Sequence, residues 1–216
     1  GGGVLFSQAI HQIDVVRYLA GGQGTRLAAL TGNWDAARPT EGAYAALLSF
    51  AGGVFATLTY SGYAHFDSDT WMGDVAELGQ DKTAAYGAAR RGLKGIAPGG
   101  ESAAKMQRTY GRGAEPAPAP HHEHFGPVIA LCDRGDLRLT PDGVEINGDL
   151  TREFRAAPVG RPRAGVLDAL HDAVRLDRAP VQDGAWGLAS LEVCHAILRA
   201  AETGEWQELT CQTNAE

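Results

Sequence analysis

The first turns of this chain constrain its fold most, because they encode one amphipathic helix with two different faces. Residues 1–20 read GGGVLFSQAIHQIDVVRYLA. At about 100° per residue, six apolar residues form one stripe, which predicts the side of the helix that packs on a core. They are Leu5, Phe6, Ala9, Ile13, Val16 and Ala20. A second set, of hydrogen-bonding side chains, shares a narrow opposite arc: Ser7, His11, Asp14 and Tyr18. A solvated face would more usually carry Lys and Glu, so this polar row is typical of the wall of a site.

His11 is the strongest candidate for catalysis in this row. An imidazole is the usual proton carrier near neutral pH. Asp14 follows one helical turn later, where its carboxylate can orient the ring or stabilise its charge. Spacing alone leaves a second interpretation open, in which His11 is a surface histidine with a local ion pair.

The rest of the chain predicts an α+β fold. Strands are expected at 25–33, 42–50, 54–63, 125–133, 136–140, 143–148, 152–156 and near 206–211. Helices are expected at 163–176 and 184–203, the first with Val166, Leu167, Leu170, Ala173 and Val174 facing inward. Short turns between consecutive strands favour antiparallel pairing. We therefore expect an open, predominantly antiparallel β-sheet with helices packed on one face.

Residues 64–122 interrupt this pattern and are interpreted as an insertion within a single domain, 1–216. The insertion mixes a polar loop, a helix expected at 81–94, a short helix expected at 101–109 and a run rich in Pro and Ala. Insertions of this length are commonly lids or binding loops.

Composition excludes several classes of partner. A net charge of -7 argues against nucleic acid, because no basic stripe is present to neutralise phosphates. No apolar run approaches the roughly 20 residues that a membrane span needs, and no signal peptide is visible. The cysteines, Cys132, Cys194 and Cys211, lack C-x-x-C spacing, so we expect a reduced, cytoplasmic protein. Cys132 lies in an apolar strand and is expected to be a small core residue.

Further histidines lie outside the first helix. His65 follows a strand edge, in a loop of the kind that carries function. In the run His121-His122-Glu123-His124, His122 and His124 would share one face of a strand at a metal-ligand spacing. Two ligands do not make a zinc site, so we expect no metal and consider His124 for substrate contact instead. An exposed or plainly structural role remains the alternative for both His65 and His124.

The segment GGGVLFSQAIHQID resembles the start of the second domain of the glucose–fructose oxidoreductase / inositol dehydrogenase / rhizopine-catabolism family (Gfo/Idh/MocA). There the helix opens with GGG, followed by an Asp, a His four residues on and another Asp three further. His11 and Asp14 match, and Ser7 stands where the first Asp is usual. The end of the chain agrees, from Asp183-Gly184 to Thr203-Gly204-Glu205. The stretches SGYAHFDSD, AYGAARRGL, HHEHFG and DRGDLRLTPDGVEI are most similar to the phthalate 4,5-cis-dihydrodiol dehydrogenase branch.

The resemblance implies the C-terminal substrate-binding and oligomerisation domain of an NAD(P)-dependent dehydrogenase. The implied substrate is a cis-dihydrodiol of an aromatic acid, oxidised to a catechol in aromatic compound catabolism. His11 and Asp14 would be catalytic, and a further group would bind substrate: Ser7, Gln8, Tyr18, His65 and His124. The resemblance also implies a homo-dimer or tetramer formed through the open sheet.

The chain shows neither G-x-G-x-x-G after a strand nor Glu-Lys-Pro, the motifs that such enzymes carry in an N-terminal Rossmann domain. We therefore expect the Rossmann domain to be absent from this chain. That domain would be the partner of this chain in binding NAD or NADP, and this chain alone is expected to be inactive. Ser7 and Gln8 make the pocket less negative than is usual in the family, which favours an anionic substrate. The alternatives are a sugar or inositol dehydrogenase of the same family, or a non-catalytic dimerisation module.

Overall fold

A computed structural model describes residues 3–36, 39–63, 65–83, 85–97, 100, 103–104, 106, 119–160 and 164–214. The chain divides into two compact units: residues 1–64 with 165–216, and residues 65–164. Each unit contains a four-stranded antiparallel sheet, which confirms the expected α+β class. The strands thus form two sheets, whereas the turn pattern led us to expect one.

The helices and strands follow one another along the chain in the following order. A π-helical turn, Leu5–Ala9, leads into α1, Ile10–Leu19. The strands of the first sheet are β1, Gly24–Gly32; β2, Ala43–Phe50; and β3, Phe55–Ser61. Then come α2, Ala88–Lys94; β4, Val128–Cys132; β5, Gly135–Thr140; β6, Gly143–Asn147; and β7, Arg152–Ala156. The chain continues with α3, Ala164–Arg175; α4, Gly184–Thr203; and β8, Gln207–Glu208.

The first unit packs α1 and α4 on one face of a sheet with strand order β3-β2-β1-β8. The apolar stripe predicted for the first helix lies in this core. The fully buried members of the core include Leu5, Ala9, Ile13, Leu27, Leu48, Cys194, Ala196 and Ile197. Burying one Leu or Ile side chain contributes about 1.5–3 kcal/mol, so this layer holds the first helix against the sheet.

The outer face of the first sheet carries an apolar strip. The strand register places Leu30 beside Ala45, and Ala28 beside Leu47. The neighbouring strand adds Phe55, which is 70% exposed, and Leu30 is 71% exposed. Strand alternation therefore buries one face of the sheet and leaves the other available for contact.

Gly3 permits a close contact between the start of the first helix and the loop before β2. The backbone N–H of Val4 donates to the carbonyl of Glu41 at 3.2 Å, and the N–H of Leu5 donates to Glu41 Oε1 at 3.0 Å. The first N–H groups of a helix have no partner within the helix, so Glu41 satisfies two of them. A Cβ on Gly3 would lie 2.1 Å from the Glu41 carboxylate, which explains why glycine occupies this position.

The second unit contains a sheet with strand order β4-β5-β6-β7, in which every neighbouring pair is a hairpin. Its expected strands are all present within a few residues of their predicted bounds. Within the described part of the helix expected at 81–94, only α2 is helical, and Gly87, at positive φ, immediately precedes it. Most of the helix expected at 101–109 and of the Pro/Ala run lies outside the described residues.

Two expectations about burial are wrong. The apolar stripe of α3 was expected to face inward, but Val166, Leu167, Leu170 and Val174 are between 60% and 72% exposed. The apolar period of a helix shows which side is apolar, and it carries no information on what covers that side. Cys132, expected in a buried strand, is exposed at the end of β4.

No helix in the described ranges combines the length and the apolar character that crossing a membrane requires.

His121 stabilises the second unit in a pH-dependent way. Its Nδ1 lies 2.5 Å from Asp142 Oδ1 and its Nε2 lies 3.1 Å from Asp81 Oδ1. The hydrogen bond to Asp142, followed by that to Asp81, raises the pKa of His121 above its ordinary value of 6.5. Because the folded pKa is raised, this contribution to stability is fully present below pH 6.5 and is lost as pH rises through the raised value.

We expect the difference in unfolding free energy between the wild type and His121→Gln to fall as pH increases above 6.5. Urea unfolding of both proteins across a pH series measures this difference. His171→Gln, which alters an exposed histidine beside Asp172, is the matched control. A difference that stays constant, or that grows with pH, would contradict the assignment.

Candidate functional site

An open cavity of about 290 Å³ lies in the first unit, where α1 meets the N-terminal end of α4. Its described lining is Ile10, His11, Asp14, Gln182, Asp183, Trp186, Gly187 and Ser190. The two residues predicted to be catalytic, His11 and Asp14, thus share one concave surface. The cavity is formed by a second helix that is more than 160 residues distant in sequence, which the helix pattern alone could not reveal.

Asp14 is held by the side chains of α4. The indole N–H of Trp186 donates to Asp14 Oδ1, and Ser190 Oγ donates to the same oxygen at 3.1 Å. A carboxylate oxygen that accepts two hydrogen bonds has a defined position. The role expected for Asp14, to support His11, stays a prediction. The structure shows in addition that Asp14 is hydrogen-bonded to two residues of α4.

Arg17 lies directly behind this carboxylate and is fully buried. Its guanidinium carbon lies 4.0 Å from the centre of the Trp186 ring, and Nη1 donates to Ser190 Oγ at 2.8 Å and to the Trp186 carbonyl at 3.1 Å. Burial lowers the pKa of Arg17, and the nearby charges of Asp14 and Glu192 oppose that change. Sequence reasoning missed Arg17, although its position three residues after Asp14 puts both side chains on neighbouring turns of one helix.

The charges of the cavity differ from expectation. Asp183 caps α4, because its Oδ1 accepts the backbone N–H of Trp186 at 2.8 Å. The described lining therefore carries the carboxylates of Asp14 and Asp183 beside the imidazole of His11, with no Lys or Arg among its members. Such a lining favours hydroxyl groups as ligands, so the expectation of a pocket suited to an anionic substrate is not supported at this cavity.

Three predicted substrate residues of the first helix lie outside this lining. Ser7 is exposed and its Oγ donates to the Gly3 carbonyl at 3.1 Å, Gln8 is half-buried, and Tyr18 is 54% exposed. The π-helical turn at Leu5–Ala9 explains the offset of Ser7, since i→i+5 bonding places more residues in each turn than the 3.6 that the prediction assumed. Their contact with substrate stays a prediction.

His65 and His124 belong to the second unit. His65 is exposed, in a bend before Asp67. His124 braces a loop: its Nε2 lies 2.9 Å from the carbonyl of Val75, and its Nδ1 accepts the N–H of Gly126 at 3.1 Å. Substrate contact through either ring nitrogen of His124 would break one of these bonds. The substrate role of both residues stays a prediction.

The described residues do not fit a dinucleotide. Gly21 and Gly22, at φ 88° and 97°, end α1 and lead into β1. A dinucleotide-binding turn runs the other way, from a strand into a helix whose N–H groups face the pyrophosphate. Within the described ranges, no group of three or more His, Cys, Asp or Glu side chains could hold a metal ion.

Comparison with known proteins identifies relatives of this chain. The family described as GFO/IDH/MocA C-terminal domain matches residues 1–80. A 1-carboxy-3-chloro-3,4-dihydroxycyclohexa-1,5-diene dehydrogenase from Comamonas testosteroni is 41% identical over 210 residues, which cover 94% of this chain and 53% of that protein. The chain thus spans about half the length of this curated relative.

Solved structures agree in fold. A structure from Bordetella bronchiseptica RB50, of a protein assigned as a dehydrogenase, is 36% identical with a TM-score of 0.85, over 96% of this chain and 55% of that one. An oxidoreductase from Agrobacterium radiobacter, solved with NAD+, L-tartaric acid and magnesium, is 15% identical with a TM-score of 0.58, over 93% and 47%. At such low identity the second structure supports the fold alone.

Replacing Trp186 by Phe tests the attachment of Asp14. The variant keeps an aromatic ring beneath Arg17 and removes the indole N–H, so we expect a loss of about 1.5–3 kcal/mol in unfolding free energy, typical of a hydrogen bond to a charged group. Urea unfolding gives this value. The matched control is Trp206→Phe. Trp206 is 43% exposed and stacks on Arg26, so this substitution should lower the unfolding free energy by less than about 1 kcal/mol. Equal losses in the two variants would contradict the assignment.

Proposed function

Because this chain is a C-terminal domain of the Gfo/Idh/MocA oxidoreductase family, we propose that it forms the substrate-handling wall of an NAD(P)-dependent dehydrogenase. The proposed substrate is a cis-dihydrodiol of an aromatic acid, and the product is a catechol. The observation that carries this proposal is the presence of His11 and Asp14 on one cavity. The name of the Comamonas testosteroni relative, with its carboxyl group and two hydroxyl groups on a cyclohexadiene ring, supports the choice of substrate.

The cavity suits the hydroxyl end of such a molecule. Oxidation of one alcohol removes a proton from its oxygen and a hydride from its carbon, which gives a hydroxyketone. This ketone becomes the catechol by tautomerisation, in which the neighbouring ring carbon loses its proton and the carbonyl oxygen gains one. In our proposal the imidazole of His11 takes the proton, and the Asp14 carboxylate accepts a hydrogen bond from the neighbouring hydroxyl. NAD or NADP would supply the hydride acceptor, and because the described residues do not fit it, we assign its binding to another part of the protein.

The carboxylate of the substrate would lie away from Asp14 and Asp183, which would repel it. A neutral polyol lacks this constraint, so the acidic lining of the cavity also supports a second candidate function, oxidation of a sugar or inositol. The two candidates are separated by the substrates that are turned over.

We expect His11→Gln to lower kcat by about 10²–10⁴-fold, the range that a positioned proton acceptor contributes. For the assay, the chain is joined to the part of the Comamonas testosteroni relative that it does not span, and reduction of NAD+ and NADP+ is followed with dihydrodiols, sugars and inositols. His171→Gln, on α3, is the matched control and should keep full activity. Unchanged turnover in His11→Gln would contradict the proposed role.

We also propose that the outer face of the first sheet pairs with a second copy of the chain, giving a homo-dimer or a tetramer. This face lines an open depression of about 520 Å³, whose members include Arg26, Leu47, Val54 and Phe55. Apolar strips of this kind on a regular sheet mark protein–protein contacts. A self-complementary face also meets the requirement of a two-fold interface, in which the same patch serves both copies.

Leu47→Glu should therefore shift the protein toward monomer, because it places a carboxylate in the centre of the paired face. Light scattering over a range of concentrations measures the shift. Leu150→Glu is the matched control, since Leu150 is 98% exposed in the turn between β6 and β7. An unchanged mass in Leu47→Glu would contradict this interface. Self-association without turnover by the joined enzyme would favour the alternative of a non-catalytic dimerisation module.

The cytoplasm is the proposed compartment. All three cysteines are free thiols, and Cys132 and Cys211 are exposed. Exposed free thiols are typical of a reducing environment. In the cytoplasm NAD or NADP is also available to the dehydrogenase that we propose.

A further inference from the structure

We propose that Arg17 and Gln212 are positioning residues, which fix Ser190 and Trp186 so that both donate to Asp14. The inference rests on the function proposed for Asp14. It connects the cavity to Gln212 near the C-terminus through the hydrogen bonds that link Asp14, Ser190, Arg17 and Gln212 in turn. None of the sequence motifs indicated these bonds. Neither Arg17 nor Gln212 is among the residues that line the cavity.

The direction of the Ser190 hydroxyl is the first step of this argument. Ser190 is 2% exposed, and its Oγ lies 2.8 Å from Arg17 Nη1 and 3.1 Å from Asp14 Oδ1. A guanidinium only donates, so the serine oxygen must accept from Arg17. Its single proton is then available for Asp14, which as a carboxylate only accepts. Arg17 therefore sets which way Ser190 points.

The second step concerns Trp186. Its ring lies against the Arg17 guanidinium, and its carbonyl accepts from Arg17 Nη1 at 3.1 Å. One cation thus contacts both the backbone and the ring of the residue whose indole N–H donates to Asp14. Movement of the guanidinium would change both hydrogen bonds that Asp14 accepts.

Gln212 fixes Arg17 from the other side. Its Nε2 donates to the carbonyl of Ala189 at 3.0 Å and to Glu192 Oε2 at 2.8 Å. Both amide protons are thereby used on α4, which directs Oε1 toward Arg17, where it accepts from Nε at 3.1 Å. The orientation of the Gln212 amide is therefore determined by its three partners together.

Glu192 holds the segment that carries Gln212. Its carboxylate accepts the backbone N–H groups of Thr210 at 2.7 Å and Cys211 at 2.9 Å. Burial alone would raise the pKa of Glu192, but hydrogen bonds from Gln212, Thr210 and Cys211 lower it. An ionised Glu192 thus ties the C-terminal segment to α4, and its charge also compensates the buried Arg17.

The test compares two glutamines of the same C-terminal region. Gln212→Met removes the contact with Arg17, whereas Gln207→Met removes only local bonds to Thr203 and Glu205. The readout on the full chain is solvent exchange of the Trp186 indole proton by NMR, assigned from its loss in Trp186→Phe. We expect about tenfold faster exchange in Gln212→Met, corresponding to the loss of one hydrogen bond, and no change in Gln207→Met. Unchanged signals from Trp34, Trp71 and Trp206 show that each variant is folded.

The kinetic readout uses the joined enzyme described above. A positioning role predicts that Gln212→Met lowers kcat about tenfold while KM changes little, because misplacement of Asp14 acts on the reaction step. Equal indole exchange in Gln212→Met and Gln207→Met would overturn the proposal, as would a change in KM alone.

Asp14→Asn separates a failure of this inference from a failure of the proposed function. One outcome is faster indole exchange in Gln212→Met with kcat unchanged in both Gln212→Met and Asp14→Asn. In that case the function proposed for Asp14 is wrong, and the hydrogen bonds from Gln212 and Arg17 have no effect on catalysis. If Asp14→Asn lowers kcat and Gln212→Met does not, the proposed function stands and the positioning role is overturned.

Discussion

The hydrogen bonds of the buried Arg17 guanidinium are the interactions on which the cavity wall of the first unit depends. A buried cation is costly unless it is hydrogen-bonded and compensated by nearby charge. Here Ser190, Trp186 and Gln212 supply the acceptors, and the carboxylates of Asp14 and Glu192 supply the charge. Three segments that are distant in sequence, α1, α4 and the C-terminal end, must therefore meet around one side chain. The same requirement that stabilises the fold places Asp14 at the edge of the cavity.

The cavity itself follows from how two helices begin. The first helix is preceded by Gly3, which allows Glu41 to approach the first N–H groups of the helix, and the π-helical turn then shifts Ser7 away from the row that contains His11 and Asp14. The second of these helices, α4, is preceded by Asp183, whose side chain caps α4 and lines the cavity. A π-helical turn of this kind is frequent at functional sites, because it re-aims side chains without ending the helix.

Local patterns were enough to predict most of the strands and helices, the antiparallel pairing, and the position of His11 and Asp14 on one face of the first helix, whereas their catalytic role stays a prediction. They were not enough for the features that depend on partners distant in sequence. The apolar stripe of α3 was read correctly as apolar and wrongly as buried, and the strands were assigned to one sheet instead of two. The sequence did not identify Arg17, because an arginine on a helix is usually solvated. Its burial depends on tertiary contacts with Ser190 and Gln212. Tyr18 was placed on the polar row by its spacing, yet it is 54% exposed and is not among the residues that line the cavity.

We propose that His11 and Asp14 face the hydroxyl groups of a substrate. A crystal structure of the joined enzyme with reduced cofactor and a cis-dihydrodiol of an aromatic acid tests this most directly. We expect one substrate hydroxyl within hydrogen-bond distance of the His11 imidazole, with the indole N–H of Trp186 still donating to Asp14. A substrate bound elsewhere, with the His11 ring directed into bulk water, would contradict it.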